Sequence, residues 1–295
     1  MKQKTRMMTI TPFLYLLPAF LIYAVIVLYP LGESFRLTFY RWNGLTEKIF
    51  VGLENYYYTL FSDPVFRIAL VNNIKWTLVS QLLPVTLGLF LAILFCRKLK
   101  GLIIFRNAIF FPTTLSLVIV ALMWNWMYSP NFGLINNFIR TITGGRYSFN
   151  WLANPSSAIY YVAIAGSWGY TGVCMIMFLA GLQAIPAELY EAAEIDGANG
   201  FQRFIYITIP QLRNTINVVV IFTLINSFKV FDLIYVMTMG GPGRSTNVLA
   251  MWAYTQTFPY NDIGRGSTVA WILTAIVLAI SCLYYRVHTR PSKMS

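Results

Sequence analysis

The polar residues that could do chemistry sit inside an unusually apolar sequence. One set interrupts the apolar stretch between Asn217 and Met237. It comprises Thr223, Asn226, Ser227, Lys229 and Asp232. Polar residues within such a span are costly and usually face a bundle interior or a water-filled cavity. At about 100° per residue, one helical face collects Thr223, Asn226, Ser227 and Val230.

Two kinds of role fit this polar face. Hydroxyl and amide groups can both donate and accept hydrogen bonds, which suits a neutral polyol in a solute pathway. The alternative is hydrogen bonding between helices, typically about 0.6 kcal/mol per pair. Lys229 and Asp232 are three residues apart and are predicted to form an ion pair. A proton relay is the other interpretation, and one pair without further carboxylates supports it poorly.

A second polar segment lies between the fourth and fifth apolar stretches. We expect a helix that starts at Pro186 and ends at a left-handed Gly197. Asn199 can cap a following helix, with Gln202 three residues later in a weak capping-box arrangement. Pro210 is expected to end that helix. The sequence therefore predicts a helix–glycine–helix between two apolar spans.

This segment is predicted to be amphipathic. Apolar contacts are expected from Tyr190, Ala193, Ile195, Phe201, Phe204 and Ile205. Acidic groups are supplied by Glu188, Glu191, Glu194 and Asp196. Two interpretations remain open: a solvated connector, or a surface that docks on another protein.

Enzyme chemistry finds no support in the sequence. It has no GxxxxGK[ST] phosphate loop and no HExxH motif, and its single histidine, His288, lies near the C-terminus. Cys96, Cys174 and Cys282 are far apart in apolar runs, which predicts buried structural thiols rather than a metal or redox site. We therefore predict no catalytic residues, no metal and no cofactor.

The composition indicates an integral membrane protein. Of the 295 residues, 57% are hydrophobic and only 11% are charged, and the mean hydropathy is +0.61. A soluble domain carries about 25% charged residues, so this chain has too little polar surface to face water. The net charge of +12 comes from basic residues that flank apolar spans, a placement that sets membrane orientation and does not indicate nucleic-acid binding.

Six segments are long and apolar enough to span a membrane as helices. They are approximately Thr11–Leu31, Asn73–Phe95, Phe105–Tyr128, Ala158–Leu182, Asn217–Met237 and Ser267–Tyr285. We predict an all-α membrane protein with a transmembrane domain at 11–285, including the loop at about 184–212. Residues 1–10 and the basic tail 286–295 are expected on the cytoplasmic side. The first span is too long for a typical signal-peptide core and is expected to be retained.

The orientation follows from the short basic loops. Arg97, Lys98, Lys100 and Arg106 cluster after the second span, and Lys2, Lys4 and Arg6 precede the first. Since short loops dominate the positive-inside rule, both termini are placed in the cytoplasm.

Several motifs together resemble a known family. Glu191-Ala192-Ala193 with Gly197 and Ile209-Pro210 resembles the Glu-Ala-Ala loop of importer-type ABC permeases. Gly52-Leu53-Glu54-Asn55-Tyr56 and Thr238-Met239-Gly240-Gly241-Pro242 are similar to segments of carbohydrate permeases of the maltose class. The resemblance covers nearly the whole chain and is greatest to the first permease subunit of such systems. Extra N-terminal spans and a large inserted outer domain, found in the enterobacterial maltose member, are missing from this sequence.

The resemblance implies an importer-type ABC permease fold with a cytoplasmic coupling helix. It implies that a separate subunit hydrolyses ATP and contacts Glu191, Ala192, Ala193, Asp196, Gly197 and Pro210. The implied substrate pathway is lined by Tyr170, Thr223, Asn226, Ser227 and Val230. The implied partners are a second permease subunit, two cytoplasmic ATPase subunits, an extracytoplasmic solute-binding protein, a carbohydrate and membrane lipid.

The implied location is the cytoplasmic membrane of a bacterium or archaeon. Two alternatives remain. One is an ABC permease for a non-sugar solute such as a polyamine or oxyanion, since the cytoplasmic loop motif is shared across importers. The other is a secondary transporter, for which we find no internal repeat with broken helices.

Overall fold

The computed structural model describes residues 15–96 and 101–288, with side chains up to Arg286. Several sequence predictions fall outside these residues: the cytoplasmic segment 1–10, the start of the first span, the basic residues Arg97, Lys98 and Lys100, and the tail from residue 289 onward. The predicted tail overlaps the described chain only at its start, where residues 286–288 continue a helix.

Helices dominate the described residues. In chain order they are α1 Tyr15–Leu37, α2 Glu54–Tyr57, α3 Pro64–Phe95, α4 Leu102–Phe110, α5 Leu117–Met127, α6 Leu134–Thr143, α7 Ala158–Gln183, α8 Ala187–Ile195, α9 Gly200–Gln211, α10 Arg213–Phe228, α11 Asp232–Thr238, α12 Leu249–Thr257 and α13 Ile263–His288. Short π-helical stretches occur at Ala24–Leu28, Tyr58–Ser62 and Phe204–Thr208, and a 3-10 turn at Phe111–Thr114 extends α4. Two short strands, β1 Tyr40–Arg41 and β2 Ile49–Phe50, pair antiparallel, with Tyr40 opposite Phe50 and Arg41 opposite Ile49.

Within residues 15–96 and 101–288, four helices are long and apolar enough to cross a membrane, namely α1, α3, α7 and α13. Two bent pairs raise the number to six if each pair is one span. These are α4 with its 3-10 turn followed by α5, bent by 103°, and α9 followed by α10, bent by 67°. The predicted span Phe105–Tyr128 is therefore two helices with a sharp bend between them, and the prediction of one continuous helix is wrong. The cause is local: Pro112 lacks an N–H, and Ser116 starts a new helix by accepting from the Ile119 N–H at 3.3 Å.

The predicted span Asn217–Met237 is also interrupted. Helix α10 ends at Phe228 and α11 begins at Asp232. Between them Phe231 has φ −142° and ψ −57°, which no helix adopts. The single helix predicted for this region is therefore two helices with a break of three residues.

The chain forms two compact units. One combines the described residues up to Asp63 with Ala253–Ile272. In this unit Asn55 is buried and its side-chain amide donates to the carbonyls of Thr38 and Tyr40, both at 2.9 Å. The Ile263 N–H donates to the Trp42 carbonyl at 2.9 Å. The end of α1, the β-hairpin, α2 and the start of α13 are thereby held together by backbone groups that find partners within the chain.

The other unit combines the described residues of Pro64–Trp252 with those from Leu273 to His288. Its centre is the contact between α3 and α7, where small residues let the two helices approach closely. Gly88 of α3 lies against Cys174 of α7, and Gly166 of α7 lies against the ring of Trp76. Phe178 and Met175 are fully buried beside this contact.

Side chains of α3 also hold the loop that follows α11. The Asn72 amide donates to the carbonyls of Ser245 and Asn247 at 2.7 and 2.9 Å. Asn73 accepts from the Leu249 N–H at 2.8 Å. Because Leu249 is the first residue of α12, Asn73 satisfies one of the free N–H groups at the start of that helix.

Replacing Gly88 by alanine is expected to destabilise the protein by about 1–3 kcal/mol, the usual cost of overpacking. A Cβ at this position would lie 2.6 Å from the Cβ of Cys174 and 2.9 Å from the backbone nitrogen of Met175. Gly169→Ala in α7 is the matched control, since its added Cβ has no atom within 4 Å. Thermal unfolding in detergent measures both variants, and equal midpoints would contradict the account of close packing.

Candidate functional site

A cavity of about 200 Å³ lies in the second unit among α3, α5, α7, α10 and the break before α11. All five residues predicted to line a solute pathway border it, which are Tyr170, Thr223, Asn226, Ser227 and Val230. The remaining lining residues are Trp76, Ser80, Leu117, Lys229, Phe231, Asp232 and Leu233. The structure thus brings the predicted residues together, although their role in transport stays a prediction.

Two of the predicted residues make hydrogen bonds that join α10 to α3, besides bonds to carbonyls of α10 itself. Thr223 and Ser227 are each about 97% buried. The Thr223 hydroxyl donates to the side-chain oxygen of Gln81 at 2.9 Å, and the Ser227 hydroxyl shares a 3.0 Å hydrogen bond with the Thr77 hydroxyl. For these two residues the geometry matches the interhelical role that the sequence left open.

Asn226 and Tyr170 are placed differently. Both are half-buried and border the cavity. The Asn226 amide gives one hydrogen bond, to the Phe222 carbonyl at 2.8 Å, and its oxygen has no partner among the described residues. The Tyr170 hydroxyl likewise has no hydrogen bond within the described chain. These groups remain available to donate to, and accept from, a solute.

The ion pair predicted between Lys229 and Asp232 is wrong, because no ion pair within 4.0 Å joins them among the described residues. The prediction assumed a continuous helix, in which residues three apart are neighbours. Lys229 instead follows the last residue of α10, and Asp232 is the first residue of α11. Both side chains are exposed and border the cavity, so it carries one cation and one anion.

Sequence reasoning missed the contribution of α3 to this site. Ser80 and Trp76 border the cavity, and Gln81 and Thr77 hold α10 beside it. A signal for them was present, since Thr77, Ser80 and Gln81 are polar residues inside a predicted span. The argument used for the fifth span applies equally to the second.

The acidic segment predicted between two spans folds as expected. Helix α8 begins after Pro186 and ends before Gly197, whose φ is +76°. The Ala198 N–H donates to the Ala193 carbonyl at 2.8 Å and the Gly197 N–H to the Glu194 carbonyl at 3.1 Å. This pair of bonds is the Schellman motif. The segment therefore turns sharply at a residue that prefers to be glycine.

The second helix of the segment is capped as predicted. The Asn199 side chain accepts from the Gln202 N–H at 2.9 Å, and the Gln202 side chain accepts from the Asn199 N–H at 2.8 Å. The expectation that Pro210 ends this helix is wrong by one residue: α9 continues to Gln211 and then bends into α10. A π-helical stretch at Phe204–Thr208 precedes the proline, and Pro210 itself lacks the N–H of a regular helix.

Side-chain contacts tie α8 and α9 into one body. The Tyr190 hydroxyl lies 2.9 Å from the Thr208 hydroxyl, and Arg203 donates to the Glu194 carboxylate at 3.0 Å. An exposed ion pair alone contributes little to stability. Here it acts together with the part-buried Tyr190–Thr208 hydrogen bond and the capped turn between the helices. We refer to residues 187–211 as the α8–α9 segment.

The outer face of the α8–α9 segment is acidic and apolar at once. Glu188, Glu191 and Asp196 are exposed. Ile195 is 87% exposed and Phe201 73% exposed. Exposed large apolar side chains are common at interaction sites, and the docking role of this segment stays a prediction.

Thr223→Val is expected to lower stability by about 1 kcal/mol, because it leaves the half-buried Gln81 oxygen without a donor. Asn226→Leu, on the same helix, is the comparison variant and is expected to change stability little, since its one bond is to its own helix. Thermal unfolding in detergent separates the two. A larger loss for Asn226→Leu would contradict the division between joining and solute-facing residues.

Comparison with known proteins gives a consistent result. A family model described as "Binding-protein-dependent transport system inner membrane component" matches residues 84–291. The probable ABC transporter permease protein YurN of Bacillus subtilis is 36% identical over 277 residues, which cover 93% of this chain and 94% of that protein. The trehalose/maltose transport system permease protein MalF of Thermococcus litoralis is 35% identical over 276 residues, covering 93% and 92%.

A solved structure has the same fold. A chain of a bacterial ABC transporter involved in the import of the acidic polysaccharide alginate superposes with a TM-score of 0.85 at 21% identity, over 99% of this chain and 100% of that chain. This likeness establishes the importer-type ABC permease fold that the sequence motifs implied.

Proposed function

The chain belongs to the family of binding-protein-dependent transport system inner membrane components, and from that premise we propose that it forms half of the transmembrane pathway of an ATP-driven importer. The proposed solute is a sugar, oligosaccharide or polyol. The observation that carries this proposal is the cavity bordered by Tyr170 and Asn226, whose polar groups have no full set of partners within the described chain.

The chemistry of the cavity supports a polyhydroxylated solute. An amide and a phenol both donate and accept, as do the hydroxyls of a sugar. The rings of Trp76 and Phe231 also border the cavity, and aromatic rings give a solute a large apolar contact area. The name of the Thermococcus litoralis relative, a trehalose/maltose permease, supports the same solute class.

The proposed ATPase contact is the outer face of the α8–α9 segment. We assign this contact to Glu191, Ala192, Ala193, Asp196, Gly197 and Pro210. In this proposal the chain hydrolyses no ATP itself, and a separate ATPase subunit docks on the exposed acidic and apolar side chains. The rigid pairing of α8 with α9 supports this role, because a docking element must move as one body to transmit a change of state.

The full assembly we propose has two permease subunits, two cytoplasmic ATPases and an extracytoplasmic solute-binding protein. Both termini and the α8–α9 segment lie in the cytoplasm in this arrangement, on the evidence of the basic residues around the short loops. The chain alone leaves most of the apolar surface of α1 uncovered, since none of its hydrophobic window is buried. Lipid or a second permease subunit would cover this surface.

Mass spectrometry of the complex isolated in mild detergent tests the assembly. We expect a second permease, an ATPase and a solute-binding protein to co-purify with this chain. The ligand of the binding protein would then identify the solute. Recovery of the chain alone, still transporting in liposomes without ATP, would overturn the proposal in favour of a secondary transporter.

Asn226→Leu is expected to reduce ATP-driven sugar uptake at least about tenfold, because a solute loses hydrogen bonds worth about 1.4 kcal/mol or more at the cavity. The control is Val218→Leu, on the same helix but 57% exposed and away from the cavity. Uptake of a panel of radiolabelled mono- and oligosaccharides into proteoliposomes that contain the assembled transporter measures the effect. Unchanged uptake in Asn226→Leu would remove this face from the pathway.

Gly197→Val is expected to uncouple ATP hydrolysis from uptake, because valine cannot adopt the φ of +76° without strain. Gly197→Asn is the matched control, since asparagine tolerates this conformation best among larger residues. No atom of the described residues lies within 4 Å of an added Cβ, so a difference between the two variants does not come from crowding within this chain. Parallel assays of ATPase activity and uptake should show loss of uptake in the valine variant only; equal uptake in both would contradict the role of the turn.

A further inference from the structure

A second cavity lies where α3 and α7 end and α4 and α8 begin. Its volume is about 760 Å³. The apolar part of its lining includes Leu102, Ile103 and Leu182, and Arg106 and Tyr190 contribute polar groups. None of its lining residues borders the cavity proposed for the solute.

Arg106 is the unusual member of this lining. Its guanidinium donates one N–H to the Phe95 carbonyl, at the last residue of α3. Its Nε is shielded from solvent and has no hydrogen-bond partner among the residues that the structure describes. Among the described residues no carboxylate forms an ion pair with it. A half-buried cation with an unsatisfied N–H is costly, and a bound anion would supply both the charge and the acceptor.

The surroundings favour a lipid over a small anion. The cavity is as large as pockets that hold drug-sized ligands, about 300–1,000 Å³. Ile103 on its wall is 67% exposed, and the adjoining Ile104 and Phe105 are 70% and 62% exposed. An acyl chain can therefore continue from the cavity along an apolar surface.

We propose that this cavity binds an anionic phospholipid, with its phosphate on the Arg106 guanidinium and an acyl chain along Leu102 and Ile103. Basic pockets between membrane helices are known to hold acidic headgroups. The site touches the α8–α9 segment through Tyr190, whose hydroxyl bonds Thr208. A bound lipid would therefore brace the contact between α8 and α9. This inference goes beyond the proposed transport of a solute.

Native mass spectrometry and thermal unfolding of the full-length chain in mild detergent test the site. We expect dioleoyl phosphatidylglycerol to be retained and to raise the unfolding midpoint, while dioleoyl phosphatidylcholine does neither. Arg106→Gln should retain about tenfold less phosphatidylglycerol, in line with the loss of hydrogen bonds to a charged group. Arg286→Gln, an exposed basic residue outside the cavity, is the control and should retain as much as the wild type.

A second variant tests the site independently in case Arg106→Gln does not fold. Gln183 is exposed and borders the cavity, and Gln183→Trp should fill the cavity and lower retention while Arg106 is kept. Equal retention of both lipids, an equal loss in Arg286→Gln, or unchanged retention in both cavity variants would each overturn the proposal. Equal protection by inorganic phosphate would also overturn it, since the site would then take a small anion. None of these readouts depends on solute transport.

Discussion

The hydrogen bonds made by one face of α3 are the constraint on which the rest of the second unit depends. Asn73, Thr77 and Gln81 recur every four residues and therefore lie on one side of the helix. Each meets a different part of the chain: the start of α12, and the residues Ser227 and Thr223 of α10. In an apolar medium no water is present to hydrogen-bond with such polar side chains. The polar face of α3 therefore fixes where α10 and the following loop can lie.

The character of the cavity follows from this arrangement. The hydroxyls of Thr223 and Ser227 hydrogen-bond to side chains of α3. These hydroxyls are therefore not fully available to a solute. Asn226 and Tyr170 have no such partner on α3 and keep free polar groups at the cavity. The break after α10 then adds a lysine and an aspartate that a continuous helix would have paired with each other. The polar groups of this site are therefore of two kinds: those that hold the helices together and those that remain available to a solute.

The parts of this structure that the sequence predicted are those decided by neighbouring residues. The turn at Gly197 and the reciprocal bonds of Asn199 and Gln202 depend on a few positions along the chain, and they formed as expected. The four uninterrupted spans were also predictable from length and hydropathy, although α3 begins at Pro64, nine residues before the predicted Asn73. Residue spacing likewise grouped Asn226 with the other α10 residues of the cavity, because one helical face is a local property.

The parts that could not be predicted depend on packing between distant segments. The 103° bend between α4 and α5 and the break before Asp232 are not visible in hydropathy averaged over a span, because the helices on both sides of each break are apolar. The partners Thr77 and Gln81 lie about 140–150 residues before Ser227 and Thr223. A single sequence shows that these residues are polar within spans but not which of them meet.

The same packing gives a physical route between the α8–α9 segment and the cavity. Leu212 lies at the bend between α9 and α10 and is fully buried, and Gly181 of α7 leaves room there, since any Cβ would meet Leu212 and Thr215. From this point α10 runs for 16 residues to Phe228, about 24 Å at 1.5 Å per residue. Because a helix is stiff and its base is closely packed, a rotation of the α8–α9 segment that carried Leu212 with it would displace the far end of α10, where Asn226 meets the cavity. In the proposed function, docking at the α8–α9 segment would therefore reach the solute site through the packed contact at Leu212 and along α10.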